Sequence, residues 1–323
     1  MAQPTNLFDL YDAKGIRESV VDMISVISPA ETPLLDMCQV GSSSQKTFGW
    51  QLDVLPAPDG VGQIEGNDGT LLNPTATLFR QNYTQINERT FGVSGSEEEA
   101  AKYGRGGDMA YFTAKYALDL KRNVEFAVIG VVPQLPVVGS AATARRTAAL
   151  DQWLTTARSF GTVTGAAPAI DANGFVGTAS IDGTLRPLAT ALLNTVVSAC
   201  WDGGGKPRFL VCGASQKANF AALDAFGARR TDAMQKTSVA TVDFYWSLFG
   251  DMEVVPTRQM RKTGVVDRQM YGIDPEYVTV NYFRPWQQID LAVTGDHNRR
   301  ELLVEWGLQV DNEAAHWGIF DLQ

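Results

Sequence analysis

The sequence predicts an α+β protein, and three stretches carry the prediction. From Thr47 to Leu55 apolar and polar residues alternate without error. From Met109 to Ala127 apolar residues recur at three- and four-residue steps. From residue 184 to 283 short helical and alternating segments succeed one another. With 323 residues, 45% of them hydrophobic, the chain can bury more than one core.

In chain order, residues 1 to about 45 read as an arm with one short helix, Ile16 to Ile27, in which Val20, Ile24 and Ile27 share a face. Ser28-Pro29 and Thr32-Pro33 stop it. In the ribbon that follows, Phe48, Trp50, Leu52 and Val54 lie on one face and Thr47, Gly49, Gln51 and Asp53 on the other. Pro56 to Pro74 is rich in Gly, Asp, Asn and Pro and reads as a loop tip. Thr75 to Val93 returns as a second strand-like run, which gives a hairpin of about 30 Å. An isolated two-stranded hairpin is marginal in water, so its apolar face needs a surface to lie on. Phe48, Trp50, Leu52 and Val54 are therefore the candidate site, a contact between subunits.

Ser96, with Glu99 three residues on, has the spacing of a capping box, and Gly104, Gly106 and Gly107 predict a break. Beyond it Met109, Phe112, Tyr116, Leu120, Val124 and Ala127 mark one long amphipathic helix. Residues 131 to 183 read mostly as loop. A helix carrying Leu185, Leu188, Leu192, Val196 and Ala199 tolerates Pro187 in its first turn and ends at Gly203-Gly204-Gly205. Phe209 to Cys212 reads as a strand covered on both faces, Gln216 to Phe226 as a helix, and Ala240 to Trp246, Met252 to Val255 and Val278 to Tyr282 as strands. Leu302, Val304, Trp306, Leu308 and Val310 make a closing alternating strand.

A net charge of -9 argues against a nucleic-acid-binding surface. Three cysteines without CxxC spacing support neither a disulfide framework nor a zinc site, and no metal or cofactor is expected. Met1 to Leu10 lacks a basic segment followed by an apolar one, so no signal peptide is expected. The run Phe126 to Gly139 is too short to span a bilayer, so no membrane segment is expected. Asn82-Tyr83-Thr84 matches a glycosylation acceptor, which without secretion counts as coincidence. His297 and His316 form no metal motif and read as surface or packing residues. Gly203 to Lys206 lacks the Ser or Thr of a phosphate loop and reads as a helix end. Ser43-Ser44-Gln45-Lys46 fits SxxK and Lys262-Thr263-Gly264 fits KTG. The intervening SDN of serine penicillin-recognising enzymes is missing, which leaves a hydrolase using Ser43 and Lys46 as a distant alternative.

The order of parts, from arm through hairpin, long helix and α/β unit to closing strand, resembles the major capsid proteins of tailed double-stranded DNA phages, with the Hong Kong ninety-seven fold. Asp12, Ile27-Ser28-Pro29, Glu65-Gly66-Asn67-Asp68, Trp201 with Gly204-Gly205, Tyr282-Phe283-Arg284-Pro285-Trp286 and Glu301-Leu302-Leu303-Val304-Glu305 carry the likeness. The resemblance implies residues 1–45 as the N-terminal arm, 46–93 as an extended loop over a neighbour, and 94–183 as a peripheral domain with its spine helix. It implies 184–283 as an axial domain and 284–323 as a return to the peripheral domain. It also implies a structural, non-enzymatic role. Pentamers and hexamers of this one chain would form a closed icosahedral shell in the virion, assembled in the host bacterial cytoplasm with scaffold, portal and decoration proteins as further partners. The DNA would be enclosed and not specifically bound, with no membrane involved. A bacterial nanocompartment shell is the alternative of the same fold.

Overall fold

The computed structural model describes residues 28, 30–69, 71, 73–104, 106–131, 134–223, 244–260 and 267–323. The helix expected at Ile16 to Ile27, the strand residues Ala240 and Val242, the helix end at Phe226, and Lys262-Thr263-Gly264 lie outside them.

The N-terminal part comprises α1 (Pro33–Met37), β1 (Gln39–Ser42), β2 (Thr47–Leu52), β3 (Leu78–Tyr83), β4 (Gln85–Ser94), α2 (Gly95–Glu99) and α3 (Asp108–Ile129). The middle contributes α4 (Leu150–Trp153), β5 (Arg158–Ser159), β6 (Ala169–Ile170), β7 (Val176–Thr178), α5 (Thr190–Asp202), β8 (Phe209–Cys212) and α6 (Ala214–Ala221). The chain ends with β9 (Phe244–Ser247), β10 (Gly250–Pro256), β11 (Met270–Ile273), β12 (Val278–Asp290), β13 (His297–Val310) and β14 (Trp317–Ile319). One sheet has the order β1-β12-β13-β4 and another β5-β14-β11-β8-β10-β9, while β2-β3 and β6-β7 are separate two-stranded pairs.

The long helix forms where the periodicity places it, after the break at the glycines. Its first turn is satisfied from a distance: the Glu98 carboxylate accepts from the N–H groups of Asp108 and Met109 at 3.0 and 3.2 Å. The cap of α2 is Ser94 rather than Ser96, with its hydroxyl accepting from Glu97 N–H at 3.3 Å, because the chain leaves β4 at that point. Gly130, in the left-handed region at φ 76°, ends α3. The apolar face of α3 lies on β4 and β13, with Phe91 and Tyr116 ring centroids 5.0 Å apart.

Three expectations differ from the structure. First, Thr75 to Val93 is not one strand. The partner of β2 is β3, which stops at Tyr83, and β4 instead joins β13 from Gln85–Trp306 to Ser94–His297. The hairpin ladder therefore spans six residues a side, about 20 Å, because Thr84 turns inward. Second, α5 begins at Thr190. Arg186 is held extended by bonds to the C-terminal strand region, Arg186 N–H to Asp321 C=O at 2.8 Å and Gln323 N–H to Arg186 C=O at 3.1 Å, so Pro187 precedes the helix. Third, β13 is buried on both faces from Leu302 to Leu308 rather than alternating. It is an inner strand with α3 packed on it and the Phe48 ring against Gly307, and past the end of β4 Thr147 Oγ1 takes the next ladder position, accepting from Leu308 N–H at 3.1 Å.

The boundary drawn at 283/284 falls inside β12, and β14 pairs with β11, so the last strand enters the six-stranded sheet. Cys38, Cys200 and Cys212 are free and buried, and burial pushes each thiol up to about 12.

Trp50 belongs to the same buried cluster as Trp153, Trp306 and Leu308, with 5.2 Å between the Trp50 and Trp153 rings. Trp50→Ala is expected to cost the subunit about 3–5 kcal/mol, read as a fall in the urea midpoint of unassembled protein. A loss within ~0.5 kcal/mol would mean that Trp50 is not part of the core.

Candidate functional site

The candidate face of the ribbon divides at its middle. Trp50 is only 8% exposed and Phe48 is half-buried: the Phe48 ring stacks at 6.1 Å on Trp50 and lies against Gly307 of β13. A Cβ on Gly307 would sit 2.4 Å from the Phe48 ring, so this glycine is what lets the hairpin approach. Leu52 is half-buried and Val54 is exposed. The expectation that Phe48, Trp50, Leu52 and Val54 form one face awaiting a neighbour is thus corrected for Trp50, whose apolar surface its own chain already covers, and in part for Phe48, which is half-buried on it. Among the described residues the exposed apolar surface of the hairpin lies further out, at Val54, Leu55, Leu78 and Phe79 around the ladder's end and at Val61, Ile64 and Leu71 in the loop beyond it.

The base of the hairpin is fixed by polar residues that pattern reading passed over. Asn82 is fully buried and its amide is saturated. Nδ2 donates to Leu308 C=O at 2.7 Å and to Ala148 C=O at 3.4 Å, while Oδ1 accepts from Ala148 N–H and Tyr83 N–H at 2.9 Å each. Thr84, also fully buried, donates from Oγ1 to Glu305 Oε1 at 2.9 Å, and its carbonyl accepts from Arg145 Nε at 2.7 Å. Glu305, 2% exposed, is clamped by Arg145 and by Arg284, whose Nε lies 2.8 Å from Oε2. The Asn82-Tyr83-Thr84 acceptor match is therefore a structural knot with no surface to offer.

A second brace comes from the small β6-β7 hairpin. Gln81 N–H donates to Gly174 C=O at 2.9 Å, Gln81 Nε2 to Asn173 C=O at 2.8 Å, and Tyr83 stacks on Phe175 at 4.6 Å. The ladder is thus held at its base on both sides. Outward from Leu52, residues 53–69 are exposed throughout.

The other sequence candidates take quiet positions. Ser43 Oγ donates to Gln45 C=O at 2.9 Å inside the turn before β2, and Lys46 is exposed. His316 is fully buried, its Nδ1 accepting from Asp274 N–H at 3.2 Å, and burial lowers it to about 4, so it is a neutral packing residue. Gly203 and Gly205 close α5 through bonds to Ala199 C=O and Cys200 C=O at 3.1 and 2.9 Å, with Gly204 left-handed at φ 87°. Among the described residues no cluster of His, Cys, Asp and Glu could hold a metal ion, and no helix is long and apolar enough to cross a membrane.

Glu305→Ala strands two arginines against a buried wall and frees Thr84. About 3–5 kcal/mol of subunit stability is expected to go, measured by urea unfolding. Loss of less than about 1 kcal/mol would show that the clamp does not hold the hairpin root.

Comparison with known proteins agrees with this architecture. The sequence profile described as SU10 major capsid protein matches residues 3–323. The major capsid protein of Escherichia phage Phieco32 is 36% identical over 126 residues, which is 39% of this chain and 36% of that protein, so the matched part spans about a third of that relative. Among solved structures, the fold is similar to a chain of the Cyanophage A-1(L) capsid asymmetric unit, with TM-score 0.68, 15% identity and coverage of 95% and 97% of the two chains. It is also similar to a chain of Mycobacterium phage Bobi, at 0.60, 12%, 95% and 96%. A third likeness is to the capsid of a native GTA particle computed with C5 symmetry, at 0.58, 13%, 97% and 98%. These likenesses give the fold, the Hong Kong ninety-seven fold of phage capsids, and the match across nearly all of its length gives the family: the chain belongs to the SU10 major capsid proteins.

Proposed function

We propose that copies of this chain assemble into a closed icosahedral shell, with pentamers and hexamers as its units, that encloses packaged phage DNA in the virion. The observation that carries the reading is the contrast within one hairpin. Its base is knotted into the core by Asn82, Thr84 and Glu305, while Leu55 is 91% exposed beyond the ladder's end and Phe79 is 46% exposed on β3. A projecting element that is fixed at one end and apolar at the other is suited to lie over a neighbouring subunit. In this reading residues 46–93 act as the extended loop, 94–183 with 284–323 as the peripheral part, 184–283 as the axial part and 1–45 as the arm.

The work of such a protein is mechanical, with no reaction to catalyse. A standard interface buries ~1,600 Å², and each subunit of a closed shell makes several contacts, so modest contacts add up. A net charge of -9 suits a wall that encloses DNA without gripping its phosphates. Assembly in the host cytoplasm, helped by scaffold and portal proteins and later decorated, completes the proposal.

Electron microscopy of the expressed protein tests it: hollow closed shells or capsomers are expected, and a persistent monomer at high concentration would overturn it. Leu55→Asp refines the test. The exposed position predicts a urea midpoint within ~0.5 kcal/mol of the parent together with a sharp loss of closed shells. Normal shells from that variant would remove the hairpin tip from the assembly surface.

A further inference from the structure

Glu125 is a fully buried carboxyl group for which a purely mechanical shell has no evident use. It lies on α3, and each of its oxygens is taken by a different part of the chain. Oε2 accepts from Leu35 N–H of α1 at 3.2 Å, and Oε1 accepts from the Thr257 hydroxyl, just past β10 of the six-stranded sheet, at 2.8 Å. One side chain thus joins the long helix, that sheet and α1, the short helix that precedes β1. The other polar ties of this segment are weak by comparison: Lys121–Asp36 at 2.7 Å and Arg258–Glu31 at 3.7 Å are largely exposed ion pairs. Packing of Leu34 and Leu35 into the core completes the hold on α1.

We propose that Glu125 is a proton-operated catch for α1: while its carboxyl is neutral α1 stays seated on α3, and once it is ionised α1 lifts more readily. The inference concerns the single subunit and does not depend on the shell function. A neutral carboxyl fits the seat, because its carbonyl oxygen accepts from Leu35 N–H while its hydroxyl bonds to Thr257. An ionised one is stripped of water, and Glu125 makes no ion pair among the described residues. Burial accordingly pushes the carboxyl up to about 7, with Asp36 adding to the rise and the Thr257 and Leu35 bonds and Lys121 opposing it. The charged and titratable groups on the elements packed here are Glu31 and Asp36 before and within α1, Cys38 after it, Lys121 on α3, Arg258 beside Thr257 and Tyr282 on β12. Cys38 and Tyr282 are both raised by burial and stay neutral around pH 7. Lifting α1 lets water reach Glu125 and returns it to the ordinary carboxylate range, so opening releases a proton. Opening is therefore rarest in acid, increases as the pH climbs from that range to about 7, and levels off above it.

Hydrogen exchange of the unassembled full chain, read by mass spectrometry across this pH range and corrected for the intrinsic pH dependence of exchange, tests the catch. In peptides covering residues 33–38, the opening constant is expected to rise by more than about threefold, and by up to about 40-fold where opening fully hydrates the carboxyl, between about pH 5 and about pH 7. Glu125→Gln keeps the shape and stays neutral, so its profile is expected to be flat. Thr257→Val removes a bond that favours the ionised form, so the levelling-off is expected to move to higher pH; this variant decides the matter if the glutamine variant does not fold. A rise of less than about threefold in the parent, a Glu125→Gln profile that matches the parent's, or a Thr257→Val profile that levels off at the parent's pH overturns the inference. So does an equal rise in the amides of residues 302–308 of β13, which would mean that the whole subunit loosens and that α1 has no catch of its own.

Discussion

A two-stranded ribbon that leaves the body of a protein has no second layer to lie on, so its direction must be set entirely at its base. Here that constraint is met by burying polar groups. Asn82 uses all of its amide capacity on Leu308, Ala148 and Tyr83, and Thr84 reaches the Glu305 carboxylate that Arg145 and Arg284 hold in place. Hydrogen bonds of this kind are modest in net energy but costly to break when buried, and their directionality fixes an angle that apolar packing alone would leave loose. Phe48 and Trp50 add the packing that holds the base against β13 and Trp153.

That root is possible only because β13 is an inner strand. It pairs with β12 on one side and β4 on the other, and its residues 302–308 are buried on both faces. Gly307 opens a place for the Phe48 ring, Leu308 supplies a carbonyl to Asn82, and Glu305 supplies the carboxylate. One strand thus serves as floor of the core and as socket of the hairpin. The long helix stiffens it from the other side, with Arg300 Nη1 bonded to Thr113 Oγ1 at 3.0 Å and the Arg89–Asp119 pair at 2.8 Å tying β4 to the same helix.

What could be read from the sequence follows from period and punctuation. The 3.6-residue repeat marked α3, the glycines marked the break before it, and Gly203-Gly204-Gly205 marked the end of α5. The alternating ribbon marked β2, although its second strand was drawn through Thr84. The misreading has a definite source. A β-rich run such as Thr75 to Val93 looks continuous whether it pairs with one partner or changes sheets midway, and the residue that makes the change, Thr84, is ordinary in composition. For the same reason the alternation at Phe48 and Trp50 said which face was apolar without saying what would cover it. The partnerships of Asn82, Glu305 and Arg145 left no trace in the sequence, because buried polar partners 66 to 226 residues apart along the chain leave no local pattern. Asn82 and Thr84 did fall inside a recognised triplet, but one whose usual meaning is a surface.

The subunit therefore spends its specific polar chemistry inward and leaves mostly scattered apolar patches facing out, and this division suits a particle built from many copies. An apolar contact is tolerant of small changes in angle, since it depends on area removed from water more than on donor and acceptor geometry. In the proposed shell, copies in pentamers and hexamers would meet at different angles, so the same surface would have to work in both settings. A rigid root with an adaptable tip answers that need better than a rigid interface would. Such contacts can also be individually weak: once a subunit is held at one contact, the next forms at high effective concentration, and the sum becomes strong without any single step being irreversible. Misplaced subunits can then leave before the shell closes.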